Sequence, residues 1–471
     1  MHLKCIFGGR IAASERIQSM TPRPPLAPVR TGLIAALILA ALSIVSCSRS
    51  LPTAPRSQAG SGPNTGTSST YPNTTEEYLD DVAVMAVAGA DIHEIAADYG
   101  ATIAPGSNYT CVRMQPRSGQ SPDELAALLS ADPRVIVAER NAVIETAETR
   151  QESYASDDGY GSYETSVEQP AAVAVGLAGA HRVSEGQGVL VAVVDTGVDP
   201  THPLLQPRLS AGWDFVDYDN NPTDQRNGLD DDGDGAVDEA YGHGTHVAGL
   251  VILTAPSARI MPVRVLNSDG RGDIAAVTAG IRWAVDHGAR VINLSLGMLQ
   301  PSACIEHLLE QADEAGIVVV ASAGNSGGEN PHEYPASSAH ALAIAASDAS
   351  SQPAPFTSIA NYVALSAPGV GVRSAYPGNA WRLWSGTSMS APFVSGAAAL
   401  LLEKHPGWRR ADLLARLAGS AHALVGVSCE QQGKLGAGML DVAAALAPDF
   451  SGAHLTGPGT GIGDDPVLKR P

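Results

Sequence analysis

Four polar residues, each beside a glycine or one residue from it, could together perform acyl transfer. Asp195 stands in Asp-Thr-Gly, His243 in His-Gly-Thr-His, Asn325 in Ala-Gly-Asn and Ser388 in Gly-Thr-Ser-Met. A serine can attack a carbonyl, a histidine can take its proton, an aspartate can orient the histidine and an asparagine can donate to the oxyanion. Each residue also has a structural alternative. Ser388 could cap a helix, Asp195 a turn, His243 could be a core histidine and Asn325 could close a loop.

Continuous apolar runs precede most of these residues and predict strands that are buried on both faces. The runs cover residues 188–194, 260–266, 291–296, 317–321 and 341–346, and helical patterns cover 274–287 and 302–315 between them. This alternation predicts a doubly wound α/β domain over residues 171–448, with a mostly parallel sheet and helices on both faces. Residues that follow parallel strands meet at one edge of the sheet, so we expect the polar residues to lie together.

In this order, the four motifs resemble those of the subtilisin-like serine proteases. The two most specific are His-Gly-Thr-His-Val-Ala-Gly and Gly-Thr-Ser-Met-Ser-Ala-Pro, and the resemblance covers about residues 188–447. It implies a subtilisin-like fold and a serine endopeptidase in which Ser388 is the nucleophile and His243 the general base, then acid. Asp195 would fix the imidazole tautomer, and the Asn325 amide would hold the oxyanion together with the backbone N–H of Ser388.

The resemblance also implies how a substrate would bind. An extended peptide would lie between two backbone segments by strand addition, and a pocket would take the side chain before the cut bond. The expected segments are Gly270-Arg271-Gly272 and Ser295-Leu296-Gly297, and the expected pocket wall is Ser322-Ala323-Gly324. Glu333 falls where the pocket floor is expected and would favour a basic side chain. The alternative is that Glu333 is a surface residue.

An acidic loop just before His243 has the spacing of the first part of an EF-hand-type calcium loop. The candidate Ca²⁺ ligands, at positions 1, 3, 5, 7 and 9 of that pattern, are Asp230, Asp232, Asp234, Ala236 and Asp238. Tyr241 stands at position 12, where an EF-hand needs glutamate, so a complete EF-hand is excluded. A bound calcium ion would hold the loop that carries His243, and the alternative is a solvated acidic loop.

The N-terminal 47 residues have the features of an export signal. An apolar run over residues 32–45 follows Arg23 and Arg30 and is short for a membrane span, which predicts a signal peptide. The run ends in Ile-Val-Ser-Cys, which resembles a bacterial lipobox with Cys47 as the lipidated residue. The alternative is a plain secretory signal. Residues 48–76 are rich in Ser, Pro and Gly and are expected to form a disordered tether.

Residues 77–147 predict a small α+β domain. Strand patterns cover residues 82–87, 109–114, 135–139 and 142–144, and helical patterns cover 91–99 and the residues after Ser121. Beside a subtilisin-like domain, its position resembles that of the family's inhibitory propeptide, which would act as an intramolecular inhibitor. Residues 148–170 form an acidic linker, with cleavage expected between about residues 145 and 168. The tail at 449–471 is expected to be disordered.

Composition excludes some partners. The formal charge of −20 argues against a nucleic-acid partner, which would need a basic footprint, and five cysteines are too few for a disulfide scaffold. Whether Cys304 and Cys429 pair is left open by the sequence. The sequence thus predicts an exported endopeptidase that acts on proteins or peptides, either as a lipoprotein of the bacterial cell envelope or secreted after propeptide removal. The alternatives are a catalytically silent binding protein of the same fold and a calcium-dependent surface interaction module.

Overall fold

The computed structural model describes residues 77–105, 110–149, 155–156, 161–330 and 332–448. The expected signal peptide with Cys47, the tether and the C-terminal tail lie outside these residues. Among the residues described, no helix has the length and the apolar character that a membrane span requires.

Residues 77–145 form an α+β domain, here called the N-terminal domain. Its elements are β1 (Tyr78–Ala86), α1 (Ile92–Asp98), β2 (Thr102–Ile103), β3 (Val112–Gln115), α2 (Pro122–Leu129) and β4 (Val135–Glu145). The strands pair antiparallel in the order β2-β3-β1-β4. The helix predicted after Ser121 begins with the expected capping box, in which Ser121 and Glu124 each accept a hydrogen bond from the other's backbone N–H.

The prediction of two strands over residues 135–139 and 142–144 was wrong, because β4 runs unbroken for 11 residues. Its polar centre pairs with β1, with Arg140 opposite Val82 and Glu139 opposite Ala83, and the register shifts between Arg140 and Ala142. Cross-strand pairing with an apolar neighbour therefore outweighs the low strand propensity of the polar residues.

A seven-stranded parallel sheet forms the centre of the second domain, here called the main domain. Its order is β12-β11-β10-β9-β5-β7-β6. In chain order these strands are β5 (Leu190–Asp195), β6 (Trp213–Asp214), β7 (Arg259–Arg264), β9 (Val291–Leu294), β10 (Val318–Ser322), β11 (Ala341–Ser347) and β12 (Val363–Pro368). The predicted doubly wound α/β fold with a mostly parallel sheet is confirmed.

Helices cover both faces of this sheet. The longer ones are α6 (His243–Thr254), α7 (Ile274–Asp286), α8 (Ala303–Glu314), α9 (Thr387–Lys404) and α10 (Arg410–Ser420). Short helices are α3 (Tyr163–Val167), α4 (Pro170–Ala174), α5 (Leu177–Ala180) and α11 (Val442–Ala445), with a 3₁₀ turn at Gln206–Arg208. The remaining strands are β8 (Arg271–Asp273) and the antiparallel hairpin of β13 (Val372–Tyr376) and β14 (Ala380–Trp384).

Strand β5 is apolar up to its last residue because both of its faces are buried. Val191 and Val193 lie in the core cluster that contains α6 and α9. Ala192 and Val194 lie in the opposite cluster, with α7 and α8. This alternation explains the continuous apolar run in the sequence, and it places the polar residue that ends the strand, Asp195, at the carboxyl edge of the sheet.

The two domains share one antiparallel sheet. Residues 143–145 of β4 pair with residues 271–273 of β8, so β8 adds a fifth strand to the N-terminal domain. One face of β1 carries Val82 and Val84 in the domain's own core, whereas Ala83 and Met85 of the other face pack in the main domain's core. The N-terminal domain is therefore docked through buried apolar surface as well as backbone pairing.

Candidate active site

Asp195 and His243 form a buried ion pair. Asp195 ends β5 and His243 is the first residue of α6, and neither side chain is exposed to solvent. His243 Nδ1 lies 2.7 Å from Asp195 Oδ1, which also accepts a hydrogen bond from the Thr196 backbone N–H at 2.8 Å. The aspartate thus fixes the ring so that Nε2 points away from it.

Ser388 and Asn325 lie at the start of α9. Ser388 is the second residue of the helix and is buried. Asn325 Oδ1 accepts hydrogen bonds from both the backbone N–H and the hydroxyl of Thr387, each at 2.9 Å. Because the oxygen is held in this way, the Asn325 Nδ2 group points toward the same space as the Ser388 backbone N–H.

A fifth side chain, Glu148, fills the space between these groups. Its Oε2 accepts a 2.5 Å hydrogen bond from Ser388 Oγ and lies 3.4 Å from His243 Nε2. Its Oε1 accepts from Asn325 Nδ2 at 3.0 Å and from the Ser388 backbone N–H at 3.3 Å. A side chain at Gly386 would collide with this carboxylate, so Glu148 can occupy this space only because residue 386 is a glycine.

The charges of this cluster depend on one another. Burial would by itself lower the pKa of His243, but the nearby Asp195 and Glu148 carboxylates outweigh it and raise the pKa to about 10. Burial would likewise raise the pKa of Glu148, but its contacts with His243, Ser388 and Asn325 lower it. With Glu148 in place, His243 is therefore a cation at neutral pH and cannot accept a proton from Ser388.

The backbone before Glu148 lies between the two predicted substrate-binding segments. Glu145 exchanges two backbone hydrogen bonds with Gly297, at 3.1 and 2.8 Å. The Thr146 N–H donates to the Gly270 carbonyl at 3.1 Å, and Glu145 lies opposite Arg271 in the β4–β8 pairing. Both segments are thus occupied by this chain's own residues, in the strand addition expected of an extended peptide.

Comparison with known proteins assigns the chain to a family. The sequence profile of the Subtilase family matches residues 186–439. The chain belongs to the subtilase family. It is 39% identical to Subtilisin BL of Lederbergia lenta over 253 residues, which covers 52% of this chain and 87% of that protein. It is 40% identical to Thermitase of Thermoactinomyces vulgaris over 229 residues, or 46% of this chain and 76% of that protein.

A solved structure extends the likeness toward the N-terminal domain. Fervidolysin of Fervidobacterium pennivorans, described as a keratinolytic enzyme related to subtilisin, superposes with a TM-score of 0.63 and 26% identity. That superposition covers 79% of this chain, more than the family profile matches, and 61% of the fervidolysin chain. The protein is therefore a subtilisin-like serine endopeptidase, a hydrolase.

In this subtilase the predicted pocket wall lies against a buried carboxylate. Ser322 ends β10, and Ala323 and Gly324 continue the chain to Asn325. Gly324 has a φ of +93°, and a carbon added to it would lie 2.6 Å from Glu333 Oε2. Glu333 is 2% exposed and accepts a 2.7 Å hydrogen bond from Asn330 Nδ2, so the alternative of a surface glutamate was wrong.

Two further buried polar residues lie near His243, and neither was assigned a role from the sequence. Asp224 accepts hydrogen bonds from the Thr196 hydroxyl at 3.1 Å and from the Gly242 N–H at 2.8 Å, and burial raises its pKa to about 8. His246 Nε2 lies within 3.2 Å of the Val372 and Arg382 carbonyls, and burial lowers its pKa to about 3. His246 is therefore neutral at pH 7 and bonds to backbone carbonyls of the β13–β14 hairpin.

The acidic loop brings together three of the five predicted metal ligands. Carboxylate oxygens of Asp230, Asp232 and Asp234 lie within 4.8 Å of one another. The Asp238 carboxylate instead accepts hydrogen bonds from the backbone of Asn227 and Gly228, so its side chain is used within the loop. Ala236, at position 7, would ligate through its backbone carbonyl, and its N–H donates to Asp234 at 2.6 Å.

Crowding of carboxylates makes this loop a good host for a cation. Burial and then repulsion by Asp234 raise the pKa of Asp232 to about 6, and burial and then repulsion by Asp269 raise that of Glu239 to about 7. Both Glu239 oxygens are buried without a hydrogen-bond partner among the described residues. Hard oxygen ligands of this kind fit Ca²⁺, and Glu239 is a candidate that the EF-hand spacing did not reveal.

Proposed function

We propose that this subtilase is an exported endopeptidase made as a precursor, in which the N-terminal domain covers the active site until the chain is cut. Once the domain has left, Ser388 Oγ would attack the scissile carbonyl carbon as its proton passes to His243 Nε2. Asn325 Nδ2 and the Ser388 N–H would hold the resulting oxyanion. His243 would then donate the proton to the leaving amine, and water would release the acyl group from Ser388 by the same route.

The observation that carries this proposal is the position of the Glu148 carboxylate. One of its oxygens accepts from the two donors expected to hold the oxyanion, and the other accepts from the expected nucleophile. A negatively charged oxygen therefore fits the site, as catalysis requires. The same contact prevents catalysis, because it occupies the Ser388 hydroxyl and keeps His243 protonated.

Three finer features belong to the proposal. Glu333 beside Gly324 supports a preference for a basic side chain before the cut bond, because a buried carboxylate attracts a cation. The acidic loop supports a structural Ca²⁺ held by Asp230, Asp232 and Asp234. The apolar run before Cys47 supports export with a lipid anchor.

The test uses two serines of the same helix. Ser388→Ala should lower peptide hydrolysis at least about 10⁴-fold and abolish labelling by a fluorophosphonate. Ser390→Ala is the matched control, since Ser390 is also buried in α9 but donates to the Ala367 carbonyl at 3.0 Å. Its activity should stay within a few-fold of the unsubstituted protein.

A protein that is never labelled and binds its partners equally well with Ser388→Ala would instead be a silent binding protein. A surface module would show binding that depends on calcium and not on Ser388. Neither alternative is favoured, since the four chemical groups stand together at one edge of the sheet and the relatives are proteases.

A further inference from the structure

Two cysteines from different domains face each other in the buried interface. Cys111 directly precedes β3 in the N-terminal domain, and Cys304 is the second residue of α8 in the main domain. Their sulfur atoms are 3.9 Å apart although the residues are 193 positions apart in the chain. Both are buried and free, so Cys304 does not pair with Cys429.

Specific polar contacts fix this juxtaposition. Glu139 of β4 accepts hydrogen bonds from the Ser302 hydroxyl at 2.6 Å, the Cys304 N–H at 2.8 Å and the Ala303 N–H at 3.1 Å. A carboxylate of the N-terminal domain thereby caps α8, where the helix dipole favours negative charge. The cap is at Cys304 itself, so domain docking sets the position of its sulfur.

We propose that Cys111 and Cys304 form a disulfide that keeps the N-terminal domain attached to the main domain after the connecting chain is cut. A disulfide needs sulfurs about 2.05 Å apart, and the observed separation is a van der Waals contact between side chains that already face each other. Rotation of the two side chains with a small adjustment of the interface would close the remaining gap.

The oxidant is a small disulfide such as oxidised glutathione, acting in an exported protein outside the reducing cytosol. One cysteine thiolate attacks the donor and releases one donor thiol, which leaves a mixed disulfide. The second cysteine attacks the cysteine sulfur of that mixed disulfide and releases the second donor thiol. Two electrons pass from the cysteines to the donor, and the two cysteine protons end on the two donor thiols.

The exchange must begin before docking is complete. The contact with Cys111 and burial raise the pKa of Cys304, which suppresses the reactive thiolate in the closed interface. The first step therefore takes place while the domains assemble or during transient opening, and docking then brings the second sulfur to the mixed disulfide.

The consequence for activity rests on the proposed function. After cleavage of the linker, a domain held by noncovalent contacts alone would leave by dilution. A disulfide makes rebinding of the N-terminal domain intramolecular and can strengthen its retention by roughly 100-fold or more. It would also keep the main domain linked to any anchor on the N-terminal segment, which cleavage would otherwise separate.

The first experiment tests the bond without needing proteolysis. The full chain with Ser388→Ala is folded with oxidised glutathione, blocked with iodoacetamide, digested without reductant and analysed by mass spectrometry. We expect a linked peptide that contains Cys111 and Cys304, that is lost in Cys111→Ala and that is retained in Cys429→Ala. Recovery of both cysteines in alkylated form would overturn the proposal.

The second experiment tests retention in the active chain after self-cleavage. Without reductant the two fragments should run together on a gel, and dithiothreitol should separate them and raise peptide hydrolysis by roughly 100-fold. Cys111→Ala should be fully active without reductant. If a protein that carries the disulfide is equally active with and without reductant, the disulfide does not retain the N-terminal domain. A chain that never cuts itself would contradict the proposed function, and the first experiment alone would then decide whether the disulfide forms.

Discussion

Replacing Glu148 by glutamine should open the precursor. The carboxylate makes two contacts with Ser388 and one each with Asn325 and His243, all of them buried. Removing one partner of a buried charge pair costs about 3–5 kcal/mol, and glutamine keeps part of the hydrogen bonding. We therefore expect Glu148→Gln to weaken closure by about 3 kcal/mol, which raises the open fraction roughly 100-fold.

The assay is the rate at which a fluorescent fluorophosphonate labels the precursor-length band at early times, because only an open site reacts. Glu145→Gln is the matched control. Glu145 lies three residues away and binds Gly297 through its backbone, while its side chain lies 3.2 Å from the Arg271 guanidinium near the surface. Its labelling rate should change by less than about threefold. If Glu148→Gln is labelled no faster than the unsubstituted precursor, the carboxylate does not close the site.

Glu148→Gln should also remove most of the pH dependence of the rate at which the precursor is labelled. The pKa of His243 is raised to about 10 in the closed state, from an ordinary value near 6.5. The stabilisation that protonated His243 gives to the closed state is therefore complete below about pH 6.5 and is lost as pH rises toward 10. The pKa of Glu148 is lowered, so its contribution is present above 4.5 and is lost on acidification. Between about pH 7.5 and about pH 9.5, labelling of the precursor should therefore speed up by at most about tenfold per pH unit. In Glu148→Gln the increase should be much smaller, and an equally steep profile would contradict the ion pair.

Three further predictions concern other parts of the molecule. Asn325→Ala should lower kcat about 100- to 1000-fold with little change in KM, measured on a peptide substrate, whereas an equal loss in KM would indicate a binding role. A calcium chelator should lower the melting temperature by on the order of 5–10 °C, and Asp232→Asn should no longer respond to it. Arg150 is the only basic residue between 145 and 168, so a pocket selective through Glu333 predicts a mature N-terminus at Gln151. N-terminal sequencing that finds another first residue would contradict this selectivity.

The fold of the main domain could be predicted from the sequence because its strands and helices are marked by short local patterns. The apolar runs ended in strands within a few residues of their predicted limits, as for β5 and β11. The α/β alternation also predicts which strand ends meet, so the sequence alone groups Asp195, His243, Asn325 and Ser388 at one edge of the sheet.

The features that the sequence did not reveal are contacts between segments that are distant in the chain, and such contacts depend on how those segments pack together. Glu148 lies in a polar stretch with no motif, and its role arises only where β4 runs on between the two substrate-binding segments. Burial of Glu333 likewise depends on the fold around Gly324. The pairing of Cys111 with Cys304 joins residues 193 positions apart, which spacing cannot reveal.

Under the proposed function, one chain both forms the catalytic groups of an endopeptidase and inhibits them. Catalysis needs two donors aimed at a negative oxygen and a histidine that becomes a cation beside Asp195. These groups favour a carboxylate, and Glu148 contacts Asn325, Ser388 and His243. Under the proposed function, Glu148 would close the site through the groups that make it active. The strength of closure and the catalytic rate would then rise together. A substitution such as Asn325→Ala should weaken both, whereas Glu148→Gln should weaken closure alone, and this difference separates inhibition by charge complementarity from simple steric cover.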